Sequence, residues 1–235
     1  MTKQDAALNR EGADDSKLIT DFMLGLTQVI DRKTIFQLNY SFGLTDGYQN
    51  DPFKIVTVID PATGLPANAS GSSYFDTDTT GNLPYVYESR PDSRQRNNLY
   101  FKAVRHLEQD VINFSYRYYW DDWDITSHTF DLHYRYQMEG SYLQPHLRYY
   151  LQSAAEFYTH NLELITDVDP SSGVVNVEHA SNDYRLAESA TVTLGLKYGI
   201  PMGDNSELSM RAEFINQAIT EDNVPAGEEA PDLNA

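Results

Sequence analysis

The stretch 113–153, "NFSYRYYWDDWDITSHTFDLHYRYQMEGSYLQPHLRYYLQS", interleaves two sets of residues. Phe114, Tyr116, Tyr118 and Trp120 alternate with Ser115, Arg117, Tyr119 and Asp121. The pattern resumes with Phe130, Leu132, Tyr134, Tyr136 and Met138 against Asp131, His133, Arg135 and Gln137. It resumes again with Leu143, Pro145, Leu147, Tyr149 and Leu151 against Gln144, His146, Arg148 and Tyr150. A period of two is the side-chain period of a β-strand, so each segment has one apolar face and one charged face.

Five further segments share the pattern. About Leu18 to Ile30 sets Phe22, Leu24 and Leu26 against Asp21, Met23, Gly25 and Thr27, and Thr34 to Thr45 sets Phe36, Leu38, Tyr40, Phe42 and Leu44 against Gln37, Asn39, Ser41 and Gly43. About Asn98 to Leu107 is ambiguous, because Lys102 and Arg105 fall on opposite faces. Ala190 to Ile200 and about Glu207 to Gln217 complete eight, with almost nothing helical between them. Residues 1–17 are polar, and 218–235 is an acidic stretch rich in Pro and Ala that reads as a disordered tail.

Composition excludes several classes. The chain has 235 residues, 40% of them hydrophobic, with 17 tyrosines, which is not a disordered composition. A net charge of -18 argues against a nucleic-acid partner, since phosphate binding needs clustered Lys and Arg. With no cysteine there are no disulfides, thiolate metal sites or cysteine nucleophiles. No apolar run is long enough for a transmembrane helix, and "MTKQDAALNREGADDSK" lacks the apolar centre of a secretory signal.

Alternation alone does not separate a membrane barrel from a soluble sandwich, which also hides one face and wets the other. Three features favour the barrel. The segments reach or exceed the roughly 9–11 residues that cross a bilayer at a tilt. Tyr and Trp stand near the segment ends (Tyr118, Trp120, Trp123, Tyr149), as in an interfacial girdle, while the wet face carries Gly, Ser, Thr, Asn, Arg and His. Short connections (31–33, 108–110, 139–141, 201–206) alternate with longer ones (about 46–97, 121–127 and 153–189), as do the periplasmic turns and outer loops of outer-membrane barrels. With the short turns in the periplasm, both ends of the series lie outside. Eight strands then read as part of a larger even-numbered barrel lacking at least one strand at each end.

Several blocks resemble one bacterial family: "LGLTQVIDRKTIFQLNYSFGLTDGYQNDPFKIVTVID", "YESRPDSR", "SYRYYWDDWDITSHTFDLHYRYQ", "YLQPHLRYYLQSAAEFY" and "DYRLAESATVTLGLKYG". They run in order from about Leu24 to Gly199. The family is catalogued as a domain of unknown function (family thirty-five seventy) and regarded as an outer-membrane β-barrel. Its members resemble longer proteins, with a signal peptide and more strands upstream and a closing strand downstream. The resemblance implies the fold, the Gram-negative outer membrane, and surrounding lipid and lipopolysaccharide. It also implies periplasmic redox or assembly partners, and it brings no activity and no cofactor.

Candidate chemistry falls in two places. Arg117, Asp131, His133, Arg135, His146 and Arg148 share one face of three neighbouring strands. They could select anions, carry protons, or simply fill the lumen with paired charges. A hairpin centred on Asp124 would put Arg117 opposite Asp131. In the loops, Arg90, Asp92 and Arg94 in "ESRPDSRQR" could grip lipopolysaccharide phosphate or an anionic solute, or could pair internally. The expectation is an outer cap in which Arg90 and Arg94 meet Asp92, Glu88 or Asp51, with 67–82 solvated. Asp121, Asp122 and Asp124 of "WDDWD" read as a solvated loop anchored by its Trp residues rather than a calcium site. No HExxH, closely spaced histidine trio, GxSxG or phosphate loop occurs, so no metal and no catalytic set is expected. The reading is a transmembrane β-barrel with a non-enzymatic role as channel, scaffold or envelope assembly and export component. Its rivals are an outer-membrane enzyme with its site in the outer loops and a soluble β-sheet binding protein.

Overall fold

The computed structural model describes residues 16–51, 53–67, 76–77, 84–169, 175–203 and 206–220. In chain order the strands are β1 (Lys17–Asp31), β2 (Thr34–Gly47), β3 (Ile55–Asp60), β4 (Leu65–Pro66), β5 (Asp76–Thr77), β6 (Pro84–Tyr87), β7 (Ser93–His106), β8 (Val111–Asp121), β9 (Thr126–Met138), β10 (Ser141–Gln152), β11 (Asn161–Glu163), β12 (Glu188–Pro201) and β13 (Glu207–Thr220). A single 3-10 turn, Tyr184–Leu186, is the helical element among the described residues. No helix there is long and apolar enough to cross a membrane, which says nothing of crossing by strands.

The eight alternating segments form one antiparallel sheet, the wall, in the order β1-β2-β7-β8-β9-β10-β12-β13. Its strands run from 11 residues in β8 to 15 in β1, enough to span a bilayer at a tilt. The ambiguous third segment begins earlier than its pattern suggests, at Ser93, and the last continues to Thr220, into what reads as tail. Among the described residues β1 pairs only with β2 and β13 only with β12, so the wall has two edges.

Register fixes the facing. Phe36, Ala103, Phe114, Leu132, Leu147, Leu194 and Phe214 are successive partners in one row across β2, β7, β8, β9, β10, β12 and β13. Leu147, Leu194 and Phe214 are 45%, 53% and 65% exposed. In water such a band would be an unburied core, whereas in lipid it needs no further partner. Toward the long-loop end the same face carries Tyr118 stacked on Trp120 at 5.0 Å, with Tyr40 6.5 Å from the Trp120 ring. These rings make the aromatic girdle. Trp123 does not belong to it: at 3% exposure it packs with Ile125, Ala155 and Leu186 on the inner side.

The two longest connections fold into each other. They build a second sheet, β11-β3-β6-β5 with β4 on β3, in which β11 runs parallel to β3. Val56, Val58, Ala67, Leu162, Val168 and Ala180 form its core, and Ser89 and Ala180 exchange backbone hydrogen bonds across it. β-Branched runs such as "IVTVI" (55–59) give this cap its strands. Most of 67–82, expected to be solvated, lies outside the described residues.

Candidate functional site

Cap and wall meet at a belt of arginines. Arg90 Nε donates to Glu88 Oε1 at 2.5 Å and its Nη2 to Asp183 Oδ2 at 2.8 Å. Arg185 also holds Asp183, from Nε and Nη2, and the Ser181 hydroxyl donates to Glu88. The side chains of Glu88 and Asp183 are 0% and 1% exposed, so both charges are satisfied inside protein. Burial alone would raise Asp183, but the hydrogen bonds from Arg185 and Arg90 outweigh it and hold the carboxyl down at about 2. One long loop supplies Glu88 and Arg90, and the other supplies Ser181, Asp183 and Arg185.

Arg94, expected to meet Asp92, Glu88 or Asp51, instead donates to Asp121 at 2.5 and 2.9 Å and lies 4.1 Å over the Trp123 ring. The acids of "WDDWD" do not converge. Asp121 accepts from Tyr119, Arg94 and the backbone of Trp123 and Ile125, Asp122 accepts from the Gln95 N–H, and Asp124 takes a turn position at φ 61°. They close the β8–β9 turn, which is therefore ordered and not merely solvated. Asp92 gives its backbone carbonyl to the Gly47 N–H.

Between cap and wall lies a cavity of about 440 Å³ whose lining includes Arg90, Arg94, Arg117, Arg148, Arg185, Tyr119, Tyr150 and Asp183. Arg117 faces Thr129, not Asp131, because the β8–β9 hairpin turns one residue earlier than a centre at Asp124. That overturns the expected Arg117–Asp131 pair: Asp131 stands opposite Ser115 on one side and Arg148 on the other. Arg117 lies 5.6 Å from the Tyr100 ring, and neither Arg117 nor Arg148 has an ion pair among the described residues.

The other candidate wall charges are Asp131, His133, Arg135 and His146. The Asp131 carboxylate oxygens lie 3.0 Å from His133 Nε2 and 3.1 Å from His146 Nε2, and the two imidazoles stack at 4.0 Å and 6°. The chain has no closely spaced histidine trio, but the sheet brings Asp131, His133 and His146 together from two strands. Arg135 leaves this group and stacks 3.7 Å over Tyr142, whose hydroxyl donates to Glu207 at 2.6 Å alongside Lys197 at 2.8 Å. Tyr142, Lys197, Glu207 and Glu213 were missed as lumenal partners. The alternation already placed Lys197 and Glu213 on the wet face, and register was the absent information.

Long antiparallel strands, an unbroken apolar row and aromatic girdle on one face, and a polar lattice on the other define an outer-membrane β-barrel protein of a Gram-negative bacterium. Outer-membrane lipid and lipopolysaccharide are its surroundings. More particularly, the chain belongs to the family described as "Protein of unknown function (DUF3570)", whose profile matches residues 2–230. No curated protein matches. Among solved structures the chain is similar to "OmpT (in-vitro folded), an outer membrane protein Vibrio cholerae (trimer form)", with 8% identity and a TM-score of 0.44 over 87% of this chain and 51% of that one. A second structure of OmpT from Vibrio cholerae is similar at 8% identity and a TM-score of 0.39, over 85% and 58%. The chain thus spans little more than half the length of the structures it resembles.

Proposed function

We propose that the protein is a non-enzymatic outer-membrane channel whose outer vestibule binds and admits anionic solutes. The observation that carries this reading is the cavity between cap and wall, where five arginines face one space. Three of them are held by Glu88, Asp183 and Asp121, and Arg117 and Arg148 are left for a ligand. Guanidinium groups fixed in this way match carboxylate and phosphate oxygens bidentately. Tyr119, Tyr150, Ser127 and Thr129 add neutral hydrogen-bonding groups to the same lining. The arginines point inward beneath the cap and not toward the lipid, which favours a solute over lipopolysaccharide. Among the described residues no feature supports the redox or assembly partners that the family resemblance implies, or an enzymatic site in the loops.

Reversal potentials of the full-length protein in planar bilayers test the proposal. Anion selectivity is expected, falling several-fold in Arg117→Ala/Arg148→Ala. A pore that selects cations, or whose selectivity ignores both substitutions, defeats the reading, and a folded barrel with no conductance would point to a scaffold.

A further inference from the structure

We propose that Asp131, His133 and His146 form a binding site for a divalent first-row transition metal on the inner face of the wall, next to the arginine vestibule, where Arg148 stands opposite Asp131. Their ligand atoms lie within 4.8 Å of one another, and both Nε2 atoms turn to the two oxygens of one carboxylate, at 3.0 and 3.1 Å. Metal–nitrogen and metal–oxygen bonds of about 2.0–2.2 Å put tetrahedral ligands roughly 3.4 Å apart. Both nitrogen–oxygen distances are already near that spacing, and the three ligand atoms lie within 4.8 Å.

The surroundings supply what such a site needs beyond its ligands. His146 Nδ1 lies 3.3 Å from Glu213 Oε1, and Arg211 lies 3.7 Å from that same oxygen. A carboxylate on the far ring nitrogen takes the Nδ1 proton, leaving Nε2 as a lone-pair donor, which is the usual outer support of a metal-bound histidine. In that tautomer Nε2 and the Asp131 oxygen 3.1 Å away are both electron-pair donors, as two ligands of one ion are. Glu213 reaches His146 across an intervening strand because the residue between them is Gly195, where a Cβ would stand 3.1 Å from His146 Cβ and 3.2 Å from Glu213 Cγ. The side chains of Asp131, His133 and His146 are 23%, 22% and 13% exposed, so an ion could enter from the lumen and keep a water in the fourth position. Two imidazoles and one carboxylate select zinc-like ions over calcium or magnesium, which require mostly oxygen.

Co²⁺ titration of the untagged full-length barrel, refolded in detergent, is the test. One ion per chain with intense four-coordinate visible absorption, displaced by Zn²⁺, is expected. His133→Ala and His146→Ala should each weaken Co²⁺ binding by about a hundredfold or more, and Glu213→Gln by about 10–100-fold, as an outer carboxylate does. Heat-modifiable gel mobility confirms that each variant is folded, and His146→Gln serves where His146→Ala is not. The proposal is overturned if folded wild type binds no Co²⁺, with a shared proton then bridging the trio. It is equally overturned if the folded double histidine variant binds Co²⁺ as well as wild type.

Discussion

His146 and Glu213 stand on strands that are not neighbours, yet Nδ1 and Oε1 lie 3.3 Å apart over Gly195 of the strand between. Tyr142 uses the same device, its ring lying over Gly199, where a Cβ would meet Cε1 and Cζ at 2.4 Å. Glycines on the inner face thus act as windows through which β10 side chains reach across β12. The two windows differ in tightness. Gly195→Ala needs shifts of a few tenths of an ångström, whereas Gly199→Ala drives into a rigid, buried ring that also carries Arg135 and Glu207. Overpacking of this kind costs about 1–3 kcal/mol. Urea unfolding in lipid vesicles should show Gly199→Ala clearly destabilised and Gly195→Ala much less so.

Leu132 lies between Phe114 and Leu147 in the apolar row, and Ser115 faces the opposite way beside Asp131. A charge at the bilayer midplane on the lipid face costs about 2–4 kcal/mol, and little in a hydrated lumen. Leu132→Arg should therefore destabilise the full-length barrel in lipid far more than Ser115→Arg. Equal losses would mean that the facing is wrong.

The sequence-based reading of strands succeeded for a physical reason. Lipid on one side and water on the other impose a strict period of two, and "FQLNYSFGL" (36–44) or "TVTLGLKY" (191–198) can be read by eye. Register was not legible, because the turn that sets it is built from Asp121 accepting hydrogen bonds from the Trp123 and Ile125 backbone, which shifts every β8–β9 pair from the expected frame. Arg117 then lost Asp131 as its opposite residue, while the separate β9–β10 register set His146 opposite His133 and brought both to Asp131. Trp123 misled for a related reason: its ring is aromatic and near a loop, but the same turn folds it inward under Arg94. Asp183 gave no signal at all, since its partners Arg90 and Arg185 come together only when two distant loops interlock.

The corrected register separates two pairs that composition treats alike. Arg117 and Asp131 share no ion pair or hydrogen bond among the described residues, whereas an Asp131 oxygen lies 3.1 Å from His146 Nε2. Double-mutant cycles on unfolding in lipid should give a coupling near zero for Arg117→Ala with Asp131→Ala. His146→Ala with Asp131→Ala should couple by about 0.5–3 kcal/mol, as residues in contact do. The reverse order would restore the hairpin centred on Asp124.

Asp183 makes the closure of the cap sensitive to acid. Its carboxyl titrates at about 2 against an ordinary 3.8, so the folded state favours the charged form. A depressed carboxylate contributes stability that is fully present above about pH 4 and is lost as pH falls through about 2. With a side chain only 1% exposed, the contribution is roughly 2 kcal/mol, and it bears on the junction between the two long loops. Leu186, three residues on, packs against Trp123, so loosening this junction should wet that indole. In a Trp120→Phe background, Trp123 emission should stay blue-shifted from pH 7 to about 4 and move to the red between about 4 and 2. Asp183→Asn should be red-shifted throughout, with no transition in that window. Arg90→Ala should open the cap at neutral pH, since it leaves the buried Glu88 carboxylate without its cation, at a cost of about 3–5 kcal/mol, while Arg185 still holds Asp183. Trp123 emission indifferent to Asp183→Asn and Arg90→Ala alike would show that this network does not hold the cap.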